Sequence, residues 1–109
     1  MAKISNINNY CTLINVFTVD PEKHQELFDV LKEATEKVMS KLPGYVSANL
    51  HSSHDKKTLT NYAQWVGVHD FENMMNNKEA QEHMKKAAEI AIDFKPVTYD
   101  SIWSDPGGS

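Results

Sequence analysis

TLTNYAQWVGV, residues 58–68, alternates in polarity as a strand does when one of its faces is buried. Alternation sends Leu59, Asn61, Ala63 and Trp65 to one side of a sheet, and Thr60, Tyr62, Gln64 and Val66 to the other. With the first set inward, Asn61 is an amide among apolar neighbours. A buried amide without a partner costs about 1–3 kcal/mol, and a cavity that admits a polar ligand is one way to satisfy it.

The flanking sequence specifies the fold around this strand. Upstream, Tyr45 to Ser53 reads as a strand, and Asp55-Lys56-Lys57 as the hairpin turn between the two. Further upstream, TLINVFTV, residues 12–19, is rich in β-branched and aromatic residues and reads as the first strand. Asp20-Pro21-Glu22 then starts a helix, with Asp as N-cap and Pro at the first helical position. Leu27, Leu31, Ala34, Val38 and Leu42 form its buried stripe, and Pro43-Gly44 stops it.

Downstream, a second helical region is expected from about Asp70 to Phe94, interrupted near Asn76-Asn77, with Asn76 as a fresh cap to Glu79. Met74, Ala80, His83, Met84, Ala87, Ala88 and Ala91 mark its inward side. A fourth strand is expected over Val97 to Trp103. Residues 1–11 read as a flexible leader and 105–109 as a flexible tail, which leaves 12–104 as a single domain. The order βαββαβ is that of a ferredoxin-like α+β fold, with both helices on one face of an antiparallel sheet. Both strand faces carry apolar bulk, Leu13 and Phe17 on one and Ile14 and Val16 on the other. The face without helices would therefore be a large apolar patch, and a homodimer is expected to cover it.

At 109 residues and 40% hydrophobic content the chain supports one core. A net charge of −4 and a pI near 5.7 leave no electrostatic footprint for nucleic acid. Cys11, the single cysteine, has no partner for an internal disulfide, and neither a signal-peptide pattern nor an apolar run of membrane length is present. A cytoplasmic protein is expected. No His or Cys pair has metal-ligand spacing, so no metal site is expected.

NYAQWVGVHDFENMMNNKEAQEHMKKAAEIAIDFKPVTYDSIW, together with INVFTVDPEK and LPGYVSANLH, resembles the antibiotic biosynthesis monooxygenase family of small dimeric α+β barrels. The likeness runs from about Thr12 to Trp103. Its most specific elements are the Asn-x-x-x-Trp of the third strand, the acidic and apolar helix after it, and Pro96-x-x-Tyr99 leading the last strand. The resemblance is closest to the anthrone-oxygenase branch, and implies oxidation of an aromatic, polyketide-like anthrone or hydroquinone by dioxygen to a quinone, with no cofactor. It also implies that Asn15, Asn61 and Trp65 are the catalytic residues.

That chemistry suits these side chains. A deprotonated anthrone or hydroquinone can itself supply an electron to dioxygen, so the protein need only hold the ring, stabilise the oxyanion and exclude water. The Asn15 and Asn61 amides are neutral donors, and the Trp65 indole is a donor on a flat surface. Four strand residues separate Asn61 and Trp65 by roughly 13 Å of backbone, room for a fused ring system. His51, Met74, His83 and Met84 are candidate substrate-lining residues, with either histidine a possible base. His24, His54 and His69 read as surface groups.

Taken singly, Asn15 reads as satisfying a backbone group at a bulge and Trp65 as core. Together with Asn61 in a matching chain they read as a site. Two alternatives stand beside this. Haem-degrading monooxygenases of the same superfamily also carry a first-strand Asn, and a late histidine near His83, but have a tryptophan where this chain has Met74. A non-catalytic barrel binding an apolar metabolite would use the amides for recognition only. Met74 also stands where many quinol-oxidising relatives carry a histidine, which points to larger apolar rings.

Overall fold

The computed structural model describes residues 10–105 and 107. Among them, strands β1 (Cys11–Thr18), β2 (Tyr45–Ser52), β3 (Thr58–Trp65) and β4 (Asp93–Tyr99) form one antiparallel sheet in the order β2-β3-β1-β4. Helices α1 (His24–Lys37), α2 (Val68–Met75) and α3 (Lys78–Ile90) complete the ferredoxin-like α+β fold expected from the sequence. β1 begins at Cys11, inside the segment expected as leader, and its side chain is buried there. The rest of the expected leader, residues 1–9, and residues 106, 108 and 109 of the expected tail lie outside the described residues.

The first helical start forms as its residues dictate. The Glu22 N–H donates to Asp20 Oδ1 at 2.9 Å, Pro21 occupies the first position, and a single 3-10 turn leads into α1. α1 ends earlier than its apolar stripe. Val38 leaves helical geometry, and Met39–Lys41 form a 3-10 turn that still keeps Val38, Met39 and Leu42 on the core. Gly44 then takes φ +83°, and a Cβ there would run into the Asp70 side chain. Gly44→Ala should therefore cost about 1–2 kcal/mol for the left-handed backbone alone. A thermal melt should register a Tm lower by several degrees, and an unchanged Tm would show that the turn rearranges freely.

Two boundaries differ from the sequence pattern. The fresh cap before α3 is Asn77, whose Oδ1 accepts from the Ala80 N–H at 3.0 Å, one residue after the expected Asn76. The last strand runs over Asp93–Tyr99 and not Val97 to Trp103. Ile92 N–H donates to Thr18 O at 2.8 Å, and Phe94 pairs with Phe17, so the segment leaves the helix before its apolar residues end. Pro96 sits inside this strand because β4 is a sheet edge, where a missing N–H leaves no neighbour unpaired.

The helices cover the sheet face that bears the odd-numbered residues of β1 and β3. Packing there divides into two clusters. Cys11, Val38, Trp65, Met74 and Ala80 form one; Phe17, Val19, Leu27, Leu59 and Ala87 form the other. His24, expected at the surface, is 5% exposed at the start of α1.

On the opposite face the Gln64 amide donates to Thr12 Oγ1 at 3.2 Å and both side chains are buried. The exposed apolar residues of that face are Val16 on β1 and Val97 and Tyr99 on β4. Among the described residues no helix is long and apolar enough to cross a membrane.

Candidate active site

Asn15, Asn61 and Ala63 lie on the helix-covered face between the two packed clusters, and the space above them is a cavity of about 650 Å³. Its size follows from composition. Ala34 on α1, Ala48 and Ala63 on the sheet, and Ala87 and Ala88 on α3 all line it, so the inward side chains are too short to meet across the gap. A volume of this order is typical of sites that enclose a small organic ligand.

Asn15 and Asn61 are direct cross-strand partners in the β1–β3 ladder. Side chains so paired stand about 4.5–5.5 Å apart at Cβ. Both Oδ1 atoms are buried and neither has a hydrogen-bond partner. The two amides expected as donors stand side by side at the floor of the cavity. Two buried acceptors without donors is an arrangement that a hydroxyl-bearing ligand completes, and the same amides carry N–H donors for an oxygen that becomes negative.

Trp65 lies at one end of the cavity, 2% exposed, in a T-shaped pair with Tyr45, ring centroids 5.7 Å apart and 85° between planes. Tyr45 is a site residue that the alternation rule misses. A bulge between Tyr45 and Ser47 puts two residues of β2 opposite one of β3, so Tyr45 faces the cavity as Ala48 does. Burial pushes the Tyr45 phenol up, with a backbone hydrogen bond at Ala48 opposing the shift, so the group stays a protonated donor at neutral pH. Phe71 and Met39 complete that end of the cavity.

Met74, His83 and Met84 line the cavity, together with the three strand residues. His51 does not. Leu50 pairs with Asn61, so its neighbour His51 stands opposite Thr60 on the other face, exposed. Burial, then the Glu72 carboxylate, push the Cys11 thiol up, which disfavours the thiolate a nucleophile needs. Among the described residues no group of three or more His, Cys, Asp or Glu side chains is placed to hold a metal ion.

Comparison with known proteins gives the family and the fold. Residues 11–88 match the family described as antibiotic biosynthesis monooxygenase. The chain is 45% identical to tetracenomycin-F1 monooxygenase of Streptomyces glaucescens, over the whole of both chains. Among solved structures, the ActVA-Orf6 monooxygenase of Streptomyces coelicolor, in complex with nanaomycin D, has the same fold. It superposes with a TM-score of 0.80 at 20% identity, covering 90% of this chain and 92% of the other. SnoaB, a cofactor-independent oxygenase from Streptomyces nogalater, superposes at 0.74 with 18% identity, covering 90% and 98%. Full-length identity on a fold of this topology makes the chain a monooxygenase that belongs to the antibiotic biosynthesis monooxygenase family.

Proposed function

We propose that the cavity binds an aromatic, polyketide-like anthrone or hydroquinone and that the protein oxidises it to a quinone with dioxygen, without metal, flavin or haem. The paired, unpartnered Oδ1 atoms of Asn15 and Asn61 carry this reading, because hydroxyls on a flat ring supply the donors those atoms lack. The similarity to a relative named for tetracenomycin F1 supports a substrate of the same kind. Once the substrate has lost a proton, its anion passes an electron to dioxygen and recombines with the reduced oxygen. For an anthrone, one oxygen atom becomes the new carbonyl, and the other leaves as water with the two hydrogens of the ring methylene. The Asn15 and Asn61 amides stabilise the oxyanion, Trp65 offers its N–H and its surface, and Met74 and Met84 fit the ring.

Oxygen uptake with a panel of anthrones and hydroquinones, using chelator-dialysed protein and labelled dioxygen, tests the reading. Turnover that puts one labelled atom in the product of an anthrone, and that gives an unlabelled quinone and labelled hydrogen peroxide from a hydroquinone, is the expected result. Dependence on added iron or flavin, or a Soret band and turnover only after haem is added, would overturn the cofactor-free mechanism. Tight binding with no uptake would leave a binding barrel.

The protein is proposed to act in the cytoplasm as a homodimer. Val16, Val97 and Tyr99 are 38%, 46% and 46% exposed on the sheet face that carries no helix, and a second sheet would cover them. Sedimentation at micromolar concentration should give twice the chain mass of 12.4 kDa; a single species at that chain mass would rule the dimer out.

A further inference from the structure

Asn15, Asn61 and Trp65 supply donors and a surface, but none of them takes up a proton at neutral pH, and oxidation of a phenolic ring starts with proton loss. His83 is placed for that step. It lies on the second turn of α3 and lines the cavity, with 18% of its side chain exposed. Its Nδ1 is 2.9 Å from the Glu79 carbonyl oxygen one helical turn back. A carbonyl only accepts, so the ring hydrogen of the neutral imidazole is on Nδ1, and Nε2 holds the lone pair. Nε2 in turn stands 3.7 Å from Glu33 Oε1 on α1. That separation is long for a hydrogen bond and within ion-pair reach once the ring carries a proton.

We propose that His83 is the proton acceptor of the oxidation, and that Glu33 is the positioning residue that stabilises its charged form. The proposal rests on the oxidative reading of the cavity. A methylene C–H of an anthrone, or an O–H of a hydroquinone, breaks; its proton goes to Nε2, and the electron pair stays on the ring system, which then reduces dioxygen. The imidazolium returns the proton to the reduced oxygen, so His83 ends each turnover neutral. Glu33 is itself held by Lys37, whose Nζ lies 3.4 Å from Oε2. The other charged or titratable neighbours of the cavity wall are Lys85 on α3 and Tyr45 on β2. Of the carboxylates, Glu33 is the one within ion-pair reach of the imidazole.

The test is steady-state kinetics across pH on His83→Gln and Glu33→Gln beside the parent, with thermal melts of each. His83→Gln should lower kcat on the order of 10²-fold with little change in KM, and should lose the acid limb of the kcat profile. A hydroquinone already ionised at the assay pH should restore most of the lost rate. Glu33→Gln should keep the acid limb and lower kcat severalfold at constant KM, and Glu33→Asp should recover part of that loss. Parental kcat and profile in His83→Gln would overturn the proposal, as would an equal loss on the ionised substrate. If His83→Gln does not fold, parental kcat in Glu33→Gln overturns it alone. Absence of oxygen uptake by the parent protein would instead count against the oxidative reading.

Discussion

Replacing Asn61 by alanine should lower kcat on the order of 10²–10³-fold while leaving the fold as stable as before or more so. The kinetic part follows from where the amide acts. An N–H aimed at an oxygen that becomes negative only after proton loss contributes to the transition state more than to substrate binding, so kcat falls and KM changes little. The stability part follows from Oδ1, which is buried and has no partner among the protein's own groups. A buried acceptor left unsatisfied costs about 1–3 kcal/mol, and its removal returns part of that. A purely structural amide would give the reverse: a lower Tm with normal turnover. Asn15 shares the site across the ladder, so the Asn15→Ala, Asn61→Ala double variant should lose less activity than the product of the two single losses. Strict multiplication would show that the two amides act on separate substrate atoms.

Sequence features that act within a few residues were legible. Asp20-Pro21 caps its helix as read, and alternation in residues 58–68 places Asn61 and Trp65 on the cavity side. Alanines on the inward side of α3 mark where the cavity lies, because a missing side chain is as much a signal as a present one. The errors have a common origin in pairing between distant segments. Ile92 and Phe94 fit a continuing helix as well as they fit a strand, and hydrogen bonding to β1 decides between them. The parity of His51 depends on Leu50 meeting Asn61 across the hairpin, and Tyr45 depends on a bulge that leaves no mark in composition. Asn77 displaced Asn76 as cap because its own Oδ1 reaches the Ala80 N–H, a choice between identical neighbours that only geometry makes.

Trp65 should separate the two meanings that a buried tryptophan in this position can have. Its ring is 2% exposed and packs with Cys11, Val38, Met74 and Ala80 and in a T-shaped pair with Tyr45. Trp65→Ala therefore opens a large hole at one end of the cavity, and truncations of this kind cost about 3–5 kcal/mol. For a domain of this size that is a fall in Tm on the order of 15–30 °C, the largest stability effect expected of any substitution named above. Loss of activity in such a variant would say nothing of catalysis. Trp65→Phe keeps a ring against Tyr45 and removes the indole N–H, so most of the packing survives and the donor does not. If the N–H acts on the developing oxyanion, kcat falls at least tenfold at nearly constant KM, in a protein that melts only a few degrees lower. A rise in KM at constant kcat would assign Trp65 to holding the ring, and would leave oxyanion stabilisation to Asn15 and Asn61.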